Sequence, residues 1–392
     1  KATTIRYVDH TSMDDSVIAA IRSQRTSAKW RAYPADAVPV WIAEMDFSLA
    51  PCVAQALHQA IDASDTGYRW PGELPEALAD FVHRHFAWQI APEHVFTLPD
   101  VLTGMAEAMR RFTRAGQSVV ITPPVYPPFF NVTRAIAERE VVEVPVVDSC
   151  LDLESLEAAF ARPEVAAFLM CHPHNPTGYR APVEVLRSVA ALARKYDVTV
   201  ISDEIWAPLS WDENPFVPYL SFDPELTAPD VALVSASKAF NLAGLKCAQL
   251  VAGSAETAEH FRKTLPMEIT YGTGHLGIIA SIAAYRNGDG WLAQTKQQLQ
   301  DNAAHLVTQL GMAGLDLSYQ PATSTYLAWL DCRHLGFGDD PAKVFLDRGR
   351  VALNAGHLFG MQGRGFVRFN FATTPEVISE AVSRMACVVS DS

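Results

Sequence analysis

The sequence predicts an α/β protein: a large domain with a mainly parallel central sheet flanked by helices, followed by a smaller α+β domain. Three observations carry this. The chain has 392 residues, beyond the size at which single cores stop growing, so two units are expected. From about residue 50 to 280, short apolar β-branched runs alternate with stretches of helical spacing, the pattern of strand–helix units. After that the chain changes to one long helix and then isolated strands separated by turn-rich segments.

The strand-like runs of the first part are His94–Leu98, Ser118–Thr122, Val141–Val147, Val165–Cys171, Val198–Ser202, Val231–Ser235 and Cys247–Ala252. Among the helical stretches, Gly104–Arg114 places Met105, Ala108 and Met109 on one face. Val183–Tyr196 carries an apolar stripe and closes on Arg194 and Lys195, cations that suit a helix C-terminus. Later, Gly290–Leu315 reads as the long helix, with strands at Thr325–Trp329 and Phe366–Phe371. The expected organisation is 1–46 as a segment joining the small domain, 47–280 as the large domain and 281–392 as the small one.

Composition narrows the function. An apolar fraction of 49% and a charged fraction of 19% fit a globular protein with a large core. The 44 acidic residues outnumber 31 Lys and Arg, a net charge of −13. That balance argues against nucleic-acid or anionic-membrane partners. Six scattered cysteines form no C-x-x-C, so neither a disulfide framework nor a metal cluster is expected, and a reducing cytoplasm fits. The first thirty residues carry charges throughout, unlike a signal peptide, and the apolar runs are too short for a membrane span.

In open α/β sheets, ligands gather beyond the carboxyl ends of the strands. Asp203-Glu204 follows one such run, and a carboxylate in a cleft needs a cation, such as a protonated pyridine nitrogen. A helix cap or surface ion pair is the plainer alternative. Ser235-Ala236-Ser237-Lys238 follows another, amid Ala239, Phe240, Leu242 and Ala243; a lysine in an apolar pocket has a lowered pKa and forms imines. Ser235, Ser237 and Lys246 suit a phosphate. His172-Pro173-His174-Asn175-Pro176-Thr177-Gly178 is a stiff turn that could aim the Asn175 amide; no further ligands support a metal at its two histidines. Tyr126, on a proline-rich loop, could stack on a flat ring or simply pack. Asp100-Val101-Leu102 opens a helix whose free N–H groups could hold phosphate.

Taken together, these residues resemble the aspartate-aminotransferase-like, fold-type I enzymes that use pyridoxal 5′-phosphate (PLP), and within them the bacterial cystathionine β-lyase (C–S lyase) branch. The ordered set also includes Ile42-Ala43-Glu44-Met45-Asp46-Phe47, Gly67-Tyr68 and Gly365-Phe366-Val367-Arg368-Phe369-Asn370. The resemblance runs over nearly the whole chain and implies one antiparallel strand in the central sheet. It implies that Lys238 carries the cofactor and moves protons, that Asp203 pairs with the ring nitrogen, and that Asn175 bonds the ring O3′. Tyr126 would stack on the ring. Val101, Leu102, Ser235, Ser237 and Lys246 would hold the phosphate, with Tyr68 reaching it from the other subunit of a homodimer. Arg368 would grip the substrate carboxylate, helped by the Ala43 region and Asn175. Two positions depart from the family pattern: Trp206 stands where a tyrosine or histidine is usual near O3′, and Glu44 where aspartate is usual.

The expected reaction is α,β-elimination of a thiol from cystathionine or a related S-substituted cysteine, giving homocysteine from cystathionine, with pyruvate and ammonia. An aminotransferase of non-dicarboxylic amino acids is the rival on the same scaffold: residues 266–271 lack the second arginine that dicarboxylate enzymes bring from a neighbour. A regulatory protein acting through a protein partner is the third reading.

Overall fold

Among the described residues the chain builds three sheets, of two, three and seven strands. The computed structural model describes residues 16–390 except 212–214, 316, 318, 320 and 322, so the expected 1–46 segment lies partly outside the described residues. The first strand, β1 (Val38–Pro39), pairs in parallel with β10 (Val351–Ala352), joining the early chain to its last third.

Seven strands come next: β2 (Val95–Leu98), β3 (Ser118–Ile121), β4 (Glu140–Glu143), β5 (Val165–Cys171), β6 (Thr199–Asp203), β7 (Val231–Val234) and β8 (Ala248–Ala252). They make one sheet in the order β2–β8–β7–β6–β5–β3–β4. Every pairing is parallel except the two made by β8, which runs against both neighbours. The start of β8 therefore lies at the same sheet edge as the ends of the parallel strands.

Burial on both faces explains why β5 is apolar throughout. Its alternate residues Ala167, Leu169 and Cys171 join one core, while Phe168 and Met170 join another. The first core takes the helix Val101–Phe112 through Val101, Met105 and Met109; the second takes the helix Val183–Lys195 through Leu186, Val189 and Ala193. Gly104 permits the first contact, because a Cβ there would stand 2.6 Å from Leu233 Cδ2. The edge strand β4 is charged at both ends and partly exposed, which blunts it as a pairing site.

The last third forms a three-stranded antiparallel sheet, β11 (Asn354–Ala355), β12 (Phe366–Asn370) and β9 (Leu327–Asp331), in that order. The helices Asp289–Met312 and Pro375–Ser390 pack against one another beside it.

Some boundaries differ from expectation. The strand expected over Val141–Val147 ends at Glu143, since Pro145 has no N–H to donate and Asp148 and Ser149 turn the chain with positive φ. The strand expected from Thr325 begins at Leu327: Thr325 has φ 67°, outside strand geometry. The helix expected from Gly104 starts a turn earlier, where the Asp100 carboxylate caps it by accepting from Thr103 N at 2.9 Å.

Candidate active site

A cavity of about 250 Å³ opens at the carboxyl ends of β5, β6 and β7. It is lined by every residue expected to touch cofactor or substrate except Tyr68. Tyr68 is 96% exposed and stands away from it.

The excursion between β7 and β8 delivers Lys238. Ser235 accepts from Ser237 N at 3.1 Å and so caps the short helix Ala236–Ala239. The same hydroxyl donates to the Cys247 carbonyl at 2.7 Å, tying the end of β7 to the start of β8. Lys238 Nζ enters the cavity, donates to the Ala43 carbonyl at 3.0 Å and lies 5.7 Å from the Trp206 ring centre. Burial, then the charge of Arg368, lowers its pKa to about 8, against the pull of Asp203 and Glu44. An amine in that range is a free nucleophile far more often than an exposed lysine.

Asp203 ends β6, in register with Cys171 on one side and Leu233 on the other. Its carboxylate is buried and accepts from Ile205 N at 3.2 Å. Burial pushes its pKa up to about 7, opposed by that N–H and by Lys238. Glu204 faces away from the cavity and spends one oxygen on Ser202 Oγ at 2.9 Å and Tyr219 N at 2.8 Å. The pair thus has one member for the site and one for the core.

Asn175 and Arg368 meet from different sheets. Arg368 Nη1 donates to Asn175 Oδ1 at 3.0 Å; Nη2 donates to the Trp41 carbonyl at 3.0 Å and Asn354 Oδ1 at 2.6 Å. Its Nε is buried without a partner, and burial lowers its pKa to about 10. No carboxylate neutralises it in these contacts, which suits a guanidinium kept for an incoming carboxylate. Tyr126 N donates to the Asn175 carbonyl at 3.0 Å, and burial raises the phenol's pKa. Asn175 and Tyr126 are thereby held as one unit.

The helix at Val101 opens at the cavity, where a phosphate was expected. Val101 and Leu102 supply its first N–H groups, and Lys246 reaches across to Asp100 Oδ2 at 3.0 Å. Asp100 had no role in the sequence reading beyond opening this helix. Here it caps the helix and steers the lysine, and its carboxyl pKa is lowered by Thr103 and Lys246 against burial. An Asp directly before the helical pattern was the signal for the cap.

Tyr326 was also missed, and Asn370 was read only as part of the Arg368 segment. Tyr326 is wholly buried, donates to the Ala43 carbonyl at 3.0 Å and meets Trp206 edge-on at 4.8 Å. Trp206 thus lines the cavity as part of an aromatic pair. Glu44, the other departure, accepts from Ser27 Oγ at 2.6 Å. The paired histidines have structural roles: His174 bonds Thr177 Oγ1 at 2.9 Å and the Thr122 carbonyl at 3.2 Å, and His172 stacks on Phe216 at 4.8 Å.

PLP fits this donor set. Asp203 is a buried carboxylate in need of a cation, Lys238 a desolvated amine, and the Val101 helix terminus with Lys246 an anion cradle lining the same cavity.

The comparisons agree with the geometry. The family described as "Aminotransferase class I and II" matches residues 42–385. The chain belongs to that family. Its cofactor is PLP. A Mycobacterium leprae protein named "Putative cystathionine beta-lyase" is 44% identical over 383 residues, covering 92% of this chain and 94% of that one. The "Cystathionine beta-lyase" of Corynebacterium glutamicum is 33% identical, covering 93% of this chain and 97% of its own. A Corynebacterium diphtheriae structure described as a "putative plp-dependent beta-cystathionase" superposes with a TM-score of 0.90 at 35% identity, covering 95% and 98% of the two chains.

Proposed function

We propose that the chain is a C–S β-lyase that cleaves cystathionine or related S-substituted cysteines. The observation that carries this is the cavity's cation set: among the described residues, Arg368 is its one arginine, beside Lys238 and Lys246. One guanidinium serves the α-carboxylate and leaves no second arginine for an acidic side chain, which disfavours aspartate and glutamate; cystathionine's distal carboxylate comes with its own ammonium, so its side chain carries no net charge. The names of the relatives in mycobacteria and corynebacteria support the same reading.

When bound, PLP supplies an aldehyde for amines and an electron sink for negative charge at the substrate Cα. Arg368 orients the substrate by its carboxylate, with Asn175 steadying the guanidinium. Lys238 Nζ takes the Cα proton, helped by its lowered pKa. Asp203 would keep the proton on the ring nitrogen, with Tyr126 beside the ring, and Val101, Leu102, Ser235, Ser237 and Lys246 would hold the phosphate. The sulfur would then leave Cβ as a thiolate and take up a proton, and the released aminoacrylate would be hydrolysed by water to pyruvate and ammonia.

The working form on this reading is a homodimer in which Tyr68 reaches the other subunit's phosphate site. Tyr68, Trp70, Met267 and Tyr271 are exposed, and Arg69 binds the two segments together through Thr270 Oγ1 at 2.6 Å. The small domain takes in the N-terminal segment through the β1–β10 pair. A reducing cytoplasm suits six cysteines that are all free.

The test is pyruvate release from cystathionine by the holoenzyme without any keto acid. Turnover that appears only after a keto acid is added makes the protein an aminotransferase instead. Lys238→Ala should abolish the visible cofactor band.

A further inference from the structure

A second polar cluster lies behind the cavity wall. Lys29 is 1% exposed; its ammonium donates to Asp46 Oδ2 at 2.8 Å and to the Glu44 carbonyl at 3.0 Å. Both side chains of this ion pair are fully buried. Buried pairs are poor stabilisers compared with apolar residues of similar volume, so the pair calls for another explanation.

The turn between them supplies it. Glu44 N donates to the Ile42 carbonyl at 2.8 Å, closing a three-residue turn centred on Ala43. Asn370 Nδ2 donates to the carbonyls of Ile42 at 2.7 Å and Glu44 at 2.8 Å. Lys29 holds the Glu44 carbonyl as well. The carbonyls on either side of Ala43 are therefore engaged away from the cavity. That of Ala43 faces the cavity, where Lys238 Nζ and Tyr326 Oη both donate to it at 3.0 Å.

We propose that Lys29 is a positioning residue: through Glu44 and Asp46 it fixes the turn that presents the Ala43 carbonyl as the resting acceptor for the free amine of Lys238. The proposal rests on reading Lys238 as the cofactor lysine. The groups facing that amine are Asp203 from β6, Glu44 from the turn, Arg368 from β12 and the Tyr326 phenol. A carbonyl acceptor favours the ammonium over the neutral amine. Releasing the turn should therefore leave the resting amine more often unprotonated, while its aim at Cα is lost.

Lys29→Met alone leaves the buried Asp46 carboxylate with Arg25, at 3.6 Å, as its remaining cation and is a poor probe. Two double variants separate the cases. Lys29→Met/Asp46→Leu removes both charges and the donor to Glu44. Lys29→Gln/Asp46→Asn keeps a donor and an acceptor in place. The apolar pair should lose about ten- to a hundred-fold in kcat with little change in KM. Its apoprotein should capture added PLP faster than wild type at neutral pH, read as growth of the visible band. The amide pair should restore wild-type kcat and capture rate. Wild-type kcat and capture in the apolar pair, equal defects in both pairs, or unfolding of both reduces Lys29 to a structural ion pair and overturns the proposal. Failure of the underlying reading is separately visible, because the band would then survive Lys238→Ala.

Discussion

Asp203 and Glu204 are adjacent carboxyls raised to about 7 and about 8 by the same cause, burial. Both therefore bind protons more tightly folded than unfolded. The stability they confer is present below the ordinary carboxylate range and is lost as pH rises through their folded values. His172 and His174, lowered to about 3 and about 4, act oppositely, but only below the ordinary histidine pKa of about 6.5. Between about pH 6.5 and 8 the carboxyls decide the sign, and the apoprotein's Tm should fall. A ring cation on Asp203 relieves its share, so the Tm gap between holo- and apoprotein should widen over that range. A constant gap would argue against the Asp203 pairing. Arg368→Lys should raise KM strongly, since an ammonium cannot offer two parallel donors; an unchanged KM rejects its carboxylate role. At this scale the sequence was most readable where a side chain's own chemistry marks it, as with Lys238, Asp203 and Arg368, which the fold brings to one cavity. It was silent on Tyr326, whose hydroxyl serves a backbone carbonyl 283 residues away.

Among the elements, the helix at Val101 does the most for the site. It brings its free N–H groups to the cavity because Gly104 lets it press on Leu233. Gly104→Ala should force Leu233 aside, cost about 1–3 kcal/mol and weaken PLP affinity together. Unchanged affinity in a destabilised variant would separate the helix from the phosphate. Asp100→Ala removes the cap, worth about 1 kcal/mol, and also frees Lys246. Its loss in PLP affinity should exceed that of Lys246→Ala, measured by cofactor titration. Strands buried on both faces were legible because they are unbroken apolar runs; Val165–Cys171 is found with its expected ends. The two-residue strands β1, β10 and β11 were not, because their pairing partners lie far away and no periodicity can show in two residues.

For the whole molecule, the order of strand–helix units and the later change of pattern were enough to read an α/β fold. The packing of Arg368 onto Asn175, from separate sheets, was not readable from spacing. Trp70→Asp, placing a charge in the exposed aromatic patch, should turn a dimer into monomers in sedimentation and lower PLP affinity by removing Tyr68 from its neighbour. A variant that stays dimeric places the interface elsewhere. The reversal of β8 has one further consequence. Because β8 runs back from the edge where β7 ends, Ser235, Lys238 and Lys246 sit on a single excursion closed by the Ser235–Cys247 hydrogen bond. In engineering terms residues 235–247 are a transplantable cassette. Exchanged as one block with a relative, it should keep Lys238 and Lys246 on one closed excursion, while the Ala43 carbonyl and the Asp100 carboxylate that receive their ammonium groups come from the recipient chain.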